Sequence, residues 1–170
     1  FSKLMRQVLD SSRTDYISLE LELNILENYL NIEKLTRNNS FEYSIDLGDD
    51  IDPEEEGIPS MIVQPFLENA IIHGIAGLES VGRIAITFDI ENEFLIVKIK
   101  DNGVGREKAK KLKSQQTQQH KSVALEVIQR RLENLSSGDI SSYYSIKDII
   151  KENEVAGTFV QLKIKRQVVW

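Results

Sequence analysis

The chain has 170 residues, enough for one compact domain with a short appendage and too few for two large domains. Its 41% hydrophobic and 28% charged residues can close a core, and a net charge of -6 argues against a general nucleic-acid binder. Cysteine is absent, which excludes disulfides and thiolate-held metals, and no apolar run nears the roughly 20 residues of a membrane-spanning helix.

Leu4, Val8 and Leu9 stand at helical spacing, so Phe1 to Leu9 reads as the end of a helix that begins before this sequence. A polar connector follows, from Asp10 to Ile17, and gives the expected division: 1–17 as the remnant of an upstream region, 18–170 as the domain proper. Ser18 is a candidate N-cap. Behind it Leu19, Leu23, Leu26 and Leu30 form one apolar stripe, predicting a helix to about Arg37, roughly 28 Å long at 1.5 Å per residue. Phe41, Tyr43, Ile45 and Leu47 then alternate with polar residues, as in a strand with one buried face. From Asp46 to Glu56 come seven acids and no base, which reads as a solvated loop; the glycine-centred spacing of a calcium loop is absent.

Pro59 can start the next helix, which runs to about Gly74, with Pro65 marking either its regular start or a bend. Apolar residues surround this segment on nearly every side, as in a central helix. Ile84, Ile86 and Phe88 form one strand, and Phe94, Ile96 and Ile99 another whose alternation slips near Val97. Arg106 to Lys121 is a cationic, glutamine-rich tract with little to bury, which suggests a lid. Leu125, Ile128, Leu132 and Leu135 predict a helix over about 122–135. Tyr143 to Ile150 and Thr158 to Ile164 read as closing strands, with a turn expected at Ala156-Gly157. This order implies an α+β architecture with helices on one face of a mixed or antiparallel sheet.

Several polar residues admit two readings. Asn69 and His73 lie one helical turn apart in an apolar segment; Asn69 makes an internal hydrogen bond or holds a ligand, and His73 ends the helix or does the same. Asp101-Asn102-Gly103-Val104-Gly105 is an ordinary turn, or a wall where glycines admit a planar or phosphorylated ligand beside a carboxylate that can accept from an exocyclic amine. It matches neither the dinucleotide fingerprint nor the Walker loop.

Taken in order, these segments resemble a known family. Gln64-Pro65-Phe66-Leu67-Glu68-Asn69-Ala70-Ile71-Ile72-His73-Gly74 is similar to the asparagine box of the LytS/YehU-type sensor histidine kinases. Asp101 to Gly105 is similar to their first glycine box, Gly157-Thr158-Phe159-Val160 to their closing strand, and Leu19 to Lys34 to the helix before their ATPase domain. The resemblance implies a Bergerat-type two-layer sandwich, like that of gyrase B and MutL, with a flexible ATP lid. It implies that Asn69 holds Mg²⁺ against the phosphates of ATP, that His73 approaches those phosphates, and that Asp101 receives the adenine amino group. Gly103 and Gly105 would shape the nucleotide wall, Thr158 would support the adenine end, and Ser122 and Leu125 would also belong to the nucleotide-binding set.

The sequence departs from the pattern in places. Ile72 stands where many relatives carry lysine, and Ser122-Val123-Ala124-Leu125-Glu126-Val127 replaces both glycines and the asparagine of the second glycine box, with Arg131-Leu132 kept. Neither His73 nor His120 has the context of a phosphoacceptor, so the resemblance implies that the acceptor lies on a dimerisation helix outside this sequence. Pro65 stands where gyrase-like ATPases carry a glutamate base, which favours transfer to a protein histidine over hydrolysis. The implied whole is a homodimeric protein-histidine kinase, anchored in the inner membrane with this domain in the cytoplasm, that serves a response regulator and no nucleic acid. A degenerate interaction module with weak ATP binding and a hydrolytic ATPase are the competing readings.

Overall fold

The computed structural model describes residues 16–76, 78–113, 120–134 and 143–169, without side chains at 110–113 and 120–125. Strand β1 (Tyr16–Ser18) leads into helix α1 (Leu19–Thr36), and the Ser18 hydroxyl accepts the Leu21 N–H at 3.3 Å as the expected cap. The buried stripe of α1 is Leu19, Glu22, Ile25, Leu26 and Leu30. It is therefore rotated from the expected one: Leu23 is half-buried, and a carboxylate takes a core position. Strand β1 straddles the expected 17/18 division, with Ile17 in the core.

Strands β2 (Phe41–Leu47) and β3 (Glu56–Pro59) flank the acidic loop. Glu56 does not share the solvation expected of that run. It is 3% exposed and pairs with Arg166, whose Nη2 lies 2.7 Å from its Oε2. Pro59 ends β3 rather than opening a helix; α2 (Gln64–Asn69) begins beside Pro65 and continues as a π-helical segment, Ala70–Ile75. A missing N–H is harmless in the first turn, so proline sits at the start and not in the interior.

Strands β4 (Gly82–Glu91) and β5 (Phe94–Asp101) form a hairpin; helices α3 (Arg106–Lys113) and α4 (His120–Asn134) follow. The tract read as an unstructured lid thus carries helix on both sides, while 114–119 and Leu135 lie outside the described residues. Strands β6 (Tyr143–Lys151) and β7 (Glu154–Lys165) turn at Glu152-Asn153, both at positive φ, as a tight two-residue hairpin turn requires. Ala156-Gly157, expected as that turn, lies inside β7. Strand β8 (Gln167–Val168) completes the chain.

Five strands form one mixed sheet in the order β2-β4-β5-β7-β6, with β2 and β4 parallel and the other pairs antiparallel. A second sheet, β1-β3-β8, was not anticipated; two of its strands are three residues or shorter, below what alternation can signal. The core lies between α1, α2 and α4 and one face of the large sheet, where Phe41, Ile86, Phe88, Val97 and Leu162 are buried. In β5, Leu95, Val97 and Ile99 face that core. Ile96 is also buried but stands outside it, which explains the slip in alternation. Among the described residues, no helix is long and apolar enough to cross a membrane.

Candidate functional site

The site is built where β5 ends. Residues Ile84, Asp101, Thr158 and Asp148 stand side by side across β4, β5, β7 and β6 in one row of the register, on the helix-covered face. Asp101 is 4% exposed, and its Oδ1 accepts two backbone N–H groups, from Gly103 at 2.8 Å and Thr158 at 3.2 Å. Burial pushes its carboxyl up to about 6, against the lowering effect of those two bonds and of the Thr158 hydroxyl; Asp148 adds a small upward push. Both backbone donors fall on Oδ1, so the carboxylate, also bonded by the Thr158 hydroxyl, keeps acceptor positions for a donor from a ligand.

The end of α2 is pressed onto this row. A Cβ on Gly103 would stand 2.5 Å from the carbonyl carbon of Gly74, so only glycine allows the two backbones to approach this closely. Val104 N–H donates to the Gly74 carbonyl at 3.0 Å and fixes the contact. Gly105 has φ of +78°, and a Cβ there would overlap the Val155 side chain. Asn102 ties the turn to β4, accepting the Arg83 N–H at 2.6 Å and donating to the Val81 carbonyl at 3.1 Å.

Asn69 and His73 lie on α2 and its π-helical continuation, both half-buried, five residues and one residue before Gly74. The structure thus brings Asp101, Gly103, Thr158 and the end of the asparagine-bearing helix into one cluster, with Gly105 at its rim. Ile72, where a lysine was expected, is 47% exposed. Ser122 and Leu125 belong to α4, but their side chains lie outside the described residues.

Two features had no sequence signal. Asp148 accepts both the Arg106 N–H at 3.1 Å and Arg106 Nε at 3.2 Å, anchoring the start of α3 to β6 and engaging one cation of the basic tract. Glu22 and Arg131 meet near the start of α2: Glu22 Oε2 accepts the Met61 N–H at 3.0 Å, and Arg131 donates to the Ser60 carbonyl. Both are tertiary pairings over 39 residues or more. Among the described residues, no group of three or more His, Asp or Glu side chains could hold a metal by itself. A cavity of about 440 Å³ borders the end of β5, with Asp101 and Asn102 in its lining beside Glu42, Ser44, Arg83 and Lys100.

No protein-family model matches the chain. The chain is 32% identical over 167 residues to the uncharacterized protein YwpD of Bacillus subtilis (strain 168), covering 96% of the chain and 56% of YwpD. It is 31% identical over 140 residues to sensor protein LytS of Staphylococcus saprophyticus, covering 79% of the chain and 23% of LytS. The chain therefore spans about half the length of one relative and a quarter of the other. Its fold matches the mycobacterial sensor histidine kinase MprB at a TM-score of 0.60 and 11% identity, over 91% of this chain and 98% of that one. It also matches histidine kinase ThkA, solved in complex with the response regulator protein TrrA, at a TM-score of 0.53 and 14% identity, over 98% and 47%.

Proposed function

As a LytS-type sensor histidine kinase catalytic domain, this chain is, we propose, the part that binds Mg-ATP and presents its γ-phosphate to a histidine on a separate dimerisation helix. The observation that carries this reading is Asp101: a buried carboxylate, held by Gly103 and Thr158, at the point where α2 meets the glycine turn. An acceptor-only group in an enclosed site selects a ligand that offers an amine, as adenine does and guanine at the same position does not.

The residues present fit nucleotide and metal in distinct ways. Asp101 Oδ2 would receive the adenine amino group, Thr158 would hold Asp101 in place, and Gly103 and Gly105 would form a wall no Cβ obstructs. Asn69 would complete the shell of a magnesium ion held mainly by phosphate oxygens. His73, with Ser122 and Leu125 on the helix after the basic tract, would face the phosphate end. Bound ATP would supply the transferable phosphoryl group; the chain's part is to orient it and exclude water. Pro65, four residues before Asn69, offers no base to activate water.

In the intact protein, this reading places residues 1–17 at the end of the dimerisation and phosphoacceptor region and 18–170 as the ATP-binding unit. The whole would be a membrane-anchored homodimer with this unit in the cytoplasm, passing phosphate to a response regulator. The ThkA–TrrA complex supports that last step by kinship of fold.

Calorimetric titration with a nonhydrolysable ATP analogue, with and without Mg²⁺, tests the binding. Incubation with γ-labelled ATP tests the transfer: the 170-residue chain alone should stay unlabelled, and its native upstream region should restore acid-labile label. Absence of nucleotide binding with either form would favour the interaction-module reading, to which Ile72 and the Ser122 to Val127 replacements point.

A further inference from the structure

A buried polar junction joins three elements that the sequence keeps far apart. Glu22 on α1 is 0% exposed; it accepts the Met61 N–H through Oε2 at 3.0 Å and is also bonded by the Val63 N–H. Its other oxygen, Oε1, has no hydrogen-bond partner among the described residues. From the opposite side, Arg131 on α4 donates through Nη1 to the Ser60 carbonyl and through Nη2 to the Ser60 hydroxyl at 3.1 Å. Between them Met61 holds φ of +58°, a left-handed conformation that a side-chain-bearing residue keeps only where its surroundings fix it.

Every other buried position on α1 is leucine or isoleucine, and an apolar residue at 22 would pack without the several kcal/mol cost of desolvating a carboxylate. The carboxylate instead grips the backbone of Met61 and Val63, and the next residue, Gln64, begins α2. The far end of α2 is held by different means: Gly74 rests against Gly103, and its carbonyl accepts the Val104 N–H. One helix therefore has two independent anchors. The anchor at Gly74 governs the neighbourhood of Asp101. The anchor at Ser60–Val63 governs the approach to Asn69 and ties it to α4.

We infer that Glu22 and Arg131 are positioning residues that clamp the entry of α2 from two sides and so hold Asn69 and α4 in register for the phosphate end of the nucleotide. This rests on the ATP-binding reading. A displacement of α1 moves the start of α2 through Glu22 while Asp101 stays in place.

The division between anchors supplies the test. Wild type, Glu22→Met, Glu22→Gln and Arg131→Gln are titrated at pH 8, well below their melting temperatures, with adenosine and separately with the Mg²⁺ complex of a nonhydrolysable ATP analogue. Glu22→Met and Arg131→Gln should bind the Mg²⁺ complex about tenfold more weakly, the size of one lost hydrogen bond to a charged group, with adenosine affinity unchanged. Glu22→Gln, whose amide oxygen can still accept the Met61 N–H, should recover most of the loss. Equal losses for both ligands would reveal a general structural role and overturn the inference, as would no loss. If Glu22→Met does not fold, Arg131→Gln on the half-exposed side carries the same comparison. Failure of the wild-type chain to bind either ligand overturns the ATP-binding reading and this inference with it; wild-type binding with unchanged variants overturns this inference alone.

Discussion

Replacing Asp101 by asparagine separates the base-reading role from the fold. Gly103 and Thr158 both donate to Oδ1, at 2.8 and 3.2 Å, so the asparagine carbonyl must stay where Oδ1 is to keep them. Its NH₂ then takes the place of Oδ2 and opposes the adenine amino group, donor against donor. The loss is one hydrogen bond to a charged acceptor, about 1.5–3 kcal/mol, or roughly 10- to 150-fold in affinity. The fold should not suffer. Burial holds the Asp101 carboxyl at about 6 instead of 3.8, so its ionised form costs the folded state on the order of 3 kcal/mol, which a neutral amide avoids. Calorimetry at pH 8 with nonhydrolysable ATP and GTP analogues should show the ATP analogue losing its preference, and thermal melting should show a midpoint no lower than wild type. With adenosine, which carries no phosphate to titrate, wild-type affinity at pH 5 should be about tenfold below that at pH 8, because only the ionised carboxylate is a pure acceptor. Unchanged relative affinities for the two analogues would refute the role given to Asp101.

Gly103→Ala forces a Cβ to within 2.5 Å of the Gly74 backbone; separating the two segments should cost about 1–3 kcal/mol, lower the melting midpoint and weaken nucleotide binding, as scanning calorimetry and titration would show. Asn69→Asp keeps side-chain size but adds a negative charge beside the phosphates, so Mg-ATP affinity or transfer should fall while the circular dichroism spectrum is retained; no change in either would remove Asn69 from the site. Burial raises the Glu22 carboxyl from 4.5 to about 7, against the lowering effects of the Met61 and Val63 N–H groups and of Arg131. The folded state thus binds more protons than the unfolded one between these values, and stability should decline as pH rises from about 4.5 to 7, by on the order of 3 kcal/mol from this residue. Denaturant melts across that range should show the decline, and Glu22→Gln should flatten it; an identical slope in the variant would contradict the burial of an ionisable group there.

Local physics carried a large part of this protein into its sequence. The Ser18 cap with the apolar stripe behind it, the alternation of Phe41 to Leu47, and the paired strands around Asn92-Glu93 depend on neighbours within a few residues. Helix spacing and turn chemistry marked out the asparagine segment and the glycine turn but left two readings for each, and the roles expected of Asn69, His73, Asp101, Gly103 and Gly105 came from the family resemblance. The rotation of the α1 stripe that buries Glu22 was not visible, because a carboxylate becomes a core residue only when Met61 and Val63, some 39 residues later, supply the N–H groups it accepts. Glu56 was read with an exposed acidic run for want of Arg166, 110 residues away. The end of α2 meets Asp101 because β5 and that helix are brought together by the sheet and core. That contact, with the Arg106–Asp148 tie and the Arg131–Ser60 clamp, was decided by tertiary packing alone, since nothing local says which distant residue each partner will meet.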